Sequence, residues 1–351
     1  MSDNLVRQDR LIDEFSLRKR LVGMLSQWEF ILFLVLVAVF IFFTIVSPYF
    51  LDYFNLMNAA FSFTEKAILA LPMIFVILTG DIDISVASII ALSSFAMGNA
   101  ASKGAGPGAL VFIGLAVGLA AGMVNGLLVT KVKIPAIAVT LATLSVFRGI
   151  SQALLRDNAY THYPEKFAYF GQGYIPGTVI PFEAILYLIL VVIMGFVLHG
   201  TTYGRKLFAI GNSASASRFT GISVDRIRFI NFSLNGFFAG IAAVLLTSRI
   251  GSTRPNIAMG WELEAITLVV LGGVSITGGK GNIFGVVIAS LLVGYLKFGM
   301  ALVNLQAKVM VITTGALLIV AVLIPKVLDS VKAGQKLRAQ RSELRAVRKA
   351  S

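Results

Sequence analysis

Ten apolar runs of 16–25 residues constrain this 351-residue chain more than any other feature: 30–46, 56–80, 84–101, 109–130, 134–155, 182–199, 229–249, 264–279, 283–303 and 308–324. An α-helix rises about 1.5 Å per residue, so about 20 apolar residues cross a hydrocarbon core of about 30 Å. With 57% hydrophobic and 13% charged residues, and a mean hydropathy of +0.86, the chain carries more apolar surface than a soluble core can bury. It reads as an all-α polytopic membrane protein with about ten transmembrane helices. The first run is too long for a signal-peptide core and ends at Ser47-Pro48 without a small-x-small cleavage site, so it is expected to remain as a span.

Ten spans put both termini on one side, and the basic residues say which side. With the N-terminus inside, five Lys and Arg fall in the N-terminal arm, two at Lys131 and Lys133, five in 201–228, one at Lys280 and eight after Pro325, giving 21 inside against seven outside. Cytoplasmic loops collect positive charge, so the chain is expected to lie N-in/C-in. The net charge of +13 is then a matter of topology and lipid headgroups, and nucleic acid is not an expected partner. Three regions follow: an N-terminal arm (1–28), which reads equally as an interfacial helix or a disordered arm, a transmembrane domain (29–325) and a basic cytoplasmic tail (326–351).

Several kinds of chemistry are excluded. The chain has no cysteine, and His162 and His199 lie far apart, so neither a thiolate nor a histidine metal cluster is available. The glycine-rich stretch 272–281 resembles a phosphate loop only superficially. Val274 stands where the first glycine of a Walker motif belongs, and Gly281 where a magnesium-binding Ser or Thr belongs. The chain has no nucleotide site, metal or cofactor of its own, and any dependence on ATP and Mg must come from a partner.

Within the spans, Gly114, Gly118, Gly122 and Gly126 recur every fourth residue and mark a bare face for close helix packing, as do Gly236 with Gly240 and Gly281 with Gly285. Asp81 and Asp83 sit between two apolar runs. They read either as a cation or proton site or as part of a polar bend that satisfies helix-end amides, and a spacing of two does not place them on one helical face. Arg148 lies well inside the fifth run, where it either lines a path or snorkels outward. Glu65, Glu183 and Lys297 stand nearer to span ends and are weaker signals. The aromatic-rich loop 156–181 is either an interfacial belt or a docking face for an extracytoplasmic partner.

The segment 201–228 interrupts the apolar runs with Arg205, Lys206, Arg218, Arg226 and Arg228 against one acid, Asp225. Short apolar periods (Leu207, Phe208 and Ile210, then Phe219 and Ile222) predict one or two short helices lying flat on the membrane face, with glycines at the bends. It is the surface by which the membrane part is expected to grip another protein.

Four stretches, LTGDIDISVASIIALS at 78–93, GLLVTKVKIPAIAVTLATLSVFRG at 126–149, YGRKLFAIGNSASASRFTGISVDRIR at 203–228 and the region 262–300, carry a resemblance in the right order. The chain resembles the permease subunit of sugar-type ATP-binding-cassette importers, the group serving ribose, xylose, rhamnose and autoinducer-2. The region 251–273 is most similar to the rhamnose and autoinducer-2 branch. The resemblance implies a bacterial cytoplasmic (inner) membrane location and a small sugar or sugar-like solute. It also implies three partners: a cytoplasmic ATPase, a second permease subunit, and a periplasmic or surface solute-binding protein. It assigns ATPase coupling to Gly204, Arg205, Gly211, Asn212 and Gly221. Asp81 departs from the family's more usual Gly-Gly-x-Asp. For the translocation path, a neutral solute calls for aromatics, amides and hydroxyls such as Asn125, Asn231 and Asn235, and Asp83, Ser85 and Arg148 are further candidates. The rival reading is an ion-coupled secondary transporter acting through Asp81 and Asp83.

Overall fold

The computed structural model describes residues 28–317 apart from 157, together with 319 and 323. Of the expected arm (1–28) all but Trp28 lies outside them, as does the expected tail (326–351). The chain forms two compact units, Met1–Asn304 and Leu305–Ser351.

The first unit is helical: α1 (Trp28–Val46), α2 (Tyr53–Ala59), α3 (Thr64–Leu78), α4 (Val86–Ala101), α5 (Pro107–Thr130), α6 (Ala136–Leu155), a short α7 (Tyr169–Gln172), α8 (Phe182–Gly200), α9 (Thr202–Asn212), α10 (Ala214–Phe219), α11 (Val224–Ile250), α12 (Trp261–Leu271) and α13 (Ile283–Leu302). Among the described residues of the second unit is one apolar helix, α14 (Ala307–Leu317). Two isolated bridges, Tyr160 with Thr253 and Tyr174 with Pro181, are the only β pairing among the described residues.

Among the described residues, six helices are long and apolar enough to cross a membrane (α1, α5, α6, α8, α11 and α13), or seven if Tyr53–Ser62 and α3, bent by 53°, form one broken span. The other apolar runs of the sequence fold as shorter helices. In 84–101 the helix starts only at Val86, after a non-helical stretch, and in 264–279 it stops at Leu271, where glycines take over. Of 308–324, the described part is α14.

Burial follows sequence character. Every residue of α3 except Lys66 is buried, as its all-round apolar sequence requires, and it packs against α8, α11, α12 and α13. In α1 the arrangement is reversed: an equally apolar helix buries only Leu32 and Phe43 and turns Phe33, Ile41 and Ile45 outward, the surface of a lipid-facing span.

Glycines close the gap between α5 and α11. A Cβ on Gly118 would stand 2.8 Å from Gly240 Cα, one on Gly122 2.9 Å from Gly236 Cα, and one on Gly240 2.7 Å from Gly114 O. Backbones this close leave no room for any side chain, and the packing substitutes for the hydrophobic drive that lipid does not provide.

Loops expected on the same side of the membrane meet. At one end Lys133 pairs with Asp225, Arg228 lies 2.9 Å from Asp81, and Gly279 N donates to Leu78 O at 3.0 Å. At the other, Tyr163 hydroxyl lies 2.6 Å from Thr253 Oγ1, Tyr174 donates to Asn58 Oδ1 at 2.5 Å, and Gln172 donates to the Arg249 carbonyl at 2.8 Å. The aromatic loop 156–181 is thereby fastened to the bundle, with Phe167 buried.

Candidate functional site

The basic segment folds as two short helices. Thr201 Oγ1 accepts from Gly204 N to start α9, and Ser213 Oγ accepts from Ala216 N at 3.2 Å to start α10. Leu207 and Ile210 form the buried face of α9, while Arg205 and Lys206 stay exposed. The glycines do not all act as predicted. Gly204 and Gly211 lie within α9 and serve close approach rather than bending, and Ser213 makes the turn between the helices. Only Gly221, at φ +82° between α10 and α11, is a bend residue that needs the left-handed region.

Gly211 is where α9 presses on parts of the chain distant in sequence. Its missing side chain lets α9 lie against Leu78 O and Gly279 N, with Gly279 Cα 2.8 Å from where a Cβ would be. Gly279, at φ +74°, is itself pressed against Asn212, whose Oδ1 would stand 2.6 Å from a Cβ there. The segment is thus seated on the end of α3 and on the glycine-rich reversal after α12.

A charge clamp fixes the far side. Arg218 holds Asp225 through two parallel hydrogen bonds of 3.1 and 2.7 Å, and Lys133 pairs with the same carboxylate. Phe219 follows immediately and is 90% exposed. Sequence periodicity placed it with Ile222 in a short apolar period, and here the ring projects outward beside the clamp.

The two aspartates were weighed with the helical period, which does not apply where they stand. Residues 81–84 lie between helices, and their contacts put both carboxylates on one side. Both face α11. Arg228, Asn231 and Asn235 share one face of that helix at i, i+3 and i+7. Arg228 pairs with Asp81 and donates to the Thr79 carbonyl at 3.3 Å. Asn231 donates to the Phe75 carbonyl at 3.0 Å and accepts from Tyr203 of α9 at 2.7 Å. Asn235 donates to Asp83 Oδ2 at 2.8 Å.

Asp83 Oδ1 also accepts from Ser85 N at 2.9 Å and Ser85 Oγ at 2.6 Å, and Asn125 of α5 donates to Ser85 Oγ at 2.7 Å. Asp83, Ser85, Asn125 and Asn235 are fully buried, and Asn231 nearly so. In this conformation Asp83, Ser85, Asn125 and Asn235 bond to one another. They tie the 81–84 segment between α5 and α11, and Asn231 of α11 reaches the basic segment through Tyr203.

Arg148 is not part of this network. It is half-buried near the opposite end, where Nη1 donates to the Ile257 carbonyl at 2.7 Å and the Pro255 carbonyl at 3.3 Å, fastening the loop before α12. Beside that loop opens a pocket of about 710 Å³ lined by Gln152, Arg156, Asn158, Arg254 and Asn256 among others.

The profile of the family described as "Branched-chain amino acid transport system / permease component" matches residues 55–324. The chain belongs to this permease family. The permease is 37% identical over 296 residues to the ribose import permease protein RbsC of Bacillus subtilis (strain 168), covering 84% of this chain and 91% of that one. It is 34% identical over 307 residues to the autoinducer 2 import system permease protein LsrD of Photorhabdus laumondii, covering 86% and 92% of the two chains. It has the same identity, over 307 residues, to the ribose import permease RbsC of Escherichia coli (strain K12), with 86% and 94% covered. No solved structure matches the permease. It is a multi-pass membrane protein of a transport family.

Sequence reasoning missed some of the permease's most heavily engaged charges. Glu65, set aside as a weak signal, is fully buried and accepts from Arg249 Nε at 2.6 Å. Lys66, Glu264 and Lys297 meet as one group, with both ammonium nitrogens within 2.9 Å of Glu264 Oε2. The available signal was the occurrence of charges within or beside apolar runs, where each requires a partner or water.

Proposed function

We propose that the permease is the membrane-spanning subunit of an ATP-driven importer of a small sugar or sugar-like solute in the bacterial cytoplasmic membrane, N-in/C-in, and that the segment 201–228 is its coupling element. On this reading a cytoplasmic ATP-binding-cassette subunit holds ATP and Mg and presses on α9 and α10. A second permease subunit completes the path, and a periplasmic or surface binding protein delivers the solute. The relatives supply the solute class: two are ribose import permeases and one an autoinducer 2 import permease. The pocket lined by Arg156 and Arg254, opposite the basic segment, is where the delivering protein would dock.

The observation that carries the coupling reading is Phe219. A ring 90% exposed on a basic segment is covered by no other described part of the chain, and aromatic anchors flanked by arginine are characteristic of protein contacts. From there force has a continuous route. Gly211 seats α9 on the ends of α3 and the 275–280 reversal, and Tyr203 and Arg228 connect to Asn231 and Asp81. The same contacts argue against ion coupling through the two aspartates, since Asp81 is paired with Arg228 and Asp83 takes three hydrogen bonds.

Phe219→Ala is expected to weaken ATPase binding by about 2 kcal/mol or more, the loss typical of a central anchor. The check is co-purification with the ATPase and solute uptake in proteoliposomes. Retention of both at wild-type levels contradicts the coupling role.

A further inference from the structure

The buried amides and hydroxyls chosen from the sequence are sealed in this conformation, so the solute's contacts are to be sought among polar groups that remain partly open at membrane depth. One group meets that description. Lys66 of α3, Glu264 of α12 and Lys297 of α13 converge, with both ammonium groups on one carboxylate oxygen, Glu264 Oε2, at 2.9 and 2.8 Å. Their side chains are 16%, 29% and 21% exposed, respectively. Lys66 also lies 5.0 Å from the centre of the Trp261 ring.

Position excludes a lipid-facing surface. Lys66 stands halfway along the broken span 53–78, just past its 53° bend, and Lys297 lies about 7.5 Å inside the end of α13. Glu264 sits in the first turn of an 11-residue helix that begins after Gly260 in the left-handed region, at φ +85°. Two interrupted helices thus meet at one charged group. Interrupted backbone and partly open charge are tolerated at this depth only inside protein or beside a water-filled cavity.

The chemistry is that of polyol recognition. The group has two cations and one anion, and each ammonium has three donors, of which one is spent on Glu264. The second carboxylate oxygen is engaged by neither lysine and is left to accept hydroxyls. An indole beside these groups offers a flat face to ring C–H bonds, so apolar area and convergent polar groups occur together. We infer that Trp261, Lys66, Glu264 and Lys297 form a solute-contact station in the translocation path that takes a polyhydroxylated, sugar-sized molecule. This assignment rests on the importer reading above and names the residues that serve it.

The test uses the full importer, with ATPase and binding protein, in proteoliposomes. Because the chain has no native cysteine, Lys297→Cys provides a single thiol in the permease for a small charged methanethiosulfonate reagent. During turnover with D-ribose at about ten times its dissociation constant, modification is expected to slow about tenfold, as occupancy of one site requires. Glu264→Gln, read separately, is expected to lower the sugar delivered per ATP hydrolysed by about tenfold, the loss of a charge-assisted hydrogen bond.

A thiol that never reacts, or that reacts at one rate with and without D-ribose, overturns the assignment. So does protection that follows the anionic-lipid content of the vesicles, which would make the group a headgroup site. A Glu264→Gln variant with a lowered melting temperature and an unchanged sugar-to-ATP ratio would make it a structural ion network and overturn the assignment as well. A wild-type complex that moves no pentose or hexose sinks the importer reading itself, whereas a transporting wild type with unprotected Lys297→Cys sinks only the contact station.

Discussion

Replacing Gly236 with leucine is expected to leave no stably folded permease. A Cβ at that position would stand 2.6 Å from Gly122 Cα and 2.7 Å from Gly122 N, and these are backbone atoms of a facing helix that no rotamer change can move. Overpacking a core typically costs about 1–3 kcal/mol when side chains can adjust. Here the whole α5–α11 contact must open, so the loss is expected to exceed the upper figure and consume a large part of a total stability of about 5–15 kcal/mol. Size-exclusion profiles and thermal melts in detergent provide the check, with Gly236→Ala expected to fall between wild type and leucine. A leucine variant that runs as a monodisperse species with a wild-type melt would mean that α5 and α11 do not pack as described.

Gly211→Val is expected to behave in the opposite way, preserving the bundle and abolishing coupled transport. The added atoms collide with Leu78 O and Gly279 N, which lifts α9 from its seat, yet α9 lies outside the α3–α11 core. Coupling free energies of about 1–3 kcal/mol correspond to about 5–150-fold effects, and ATP-dependent uptake is expected to drop within that span or below it. Uptake and ATP hydrolysis measured together are diagnostic: hydrolysis without matching uptake is the predicted result. Wild-type uptake would remove Gly211 from the transmission route.

These two glycines show what the sequence could and could not reveal. The four-residue spacing of Gly114, Gly118, Gly122 and Gly126 is a repeating local signal, and it indicated a bare helix face before any partner was known. Gly211 carries no such signal. Its function depends on residues 78 and 279, far away along the chain, and only tertiary structure brings them together. For the same reason the aspartates were weighed with a helical period: nothing local announces that Arg228 and Asn235 of α11 draw both carboxylates to one side.

Span counting met a related limit. Hydropathy detects apolar residues but not where they lie: α3, buried except at Lys66, is an apolar helix as α1 is, yet α1 buries only Leu32 and Phe43. The run drawn through 264–279 hid the helix end at Leu271, and the bend before Thr64 carries neither glycine nor proline to mark it. The outward direction of Phe219 was not legible because short helices offer too few turns for periodicity to fix a face, and the clamp beside it, Lys133 with Arg218 and Asp225, joins two separate loops.

The central claim is that a basic handle on the cytoplasmic side connects an external ATPase to the bundle, and its sidedness can be measured directly. Phe219→Cys gives the chain a single thiol at a position 90% exposed. In right-side-out vesicles the account predicts no reaction with a membrane-impermeant maleimide, full reaction after the membrane is opened, and protection when the ATPase is bound. Labelling of intact right-side-out vesicles would place the handle outside the cell and contradict the account.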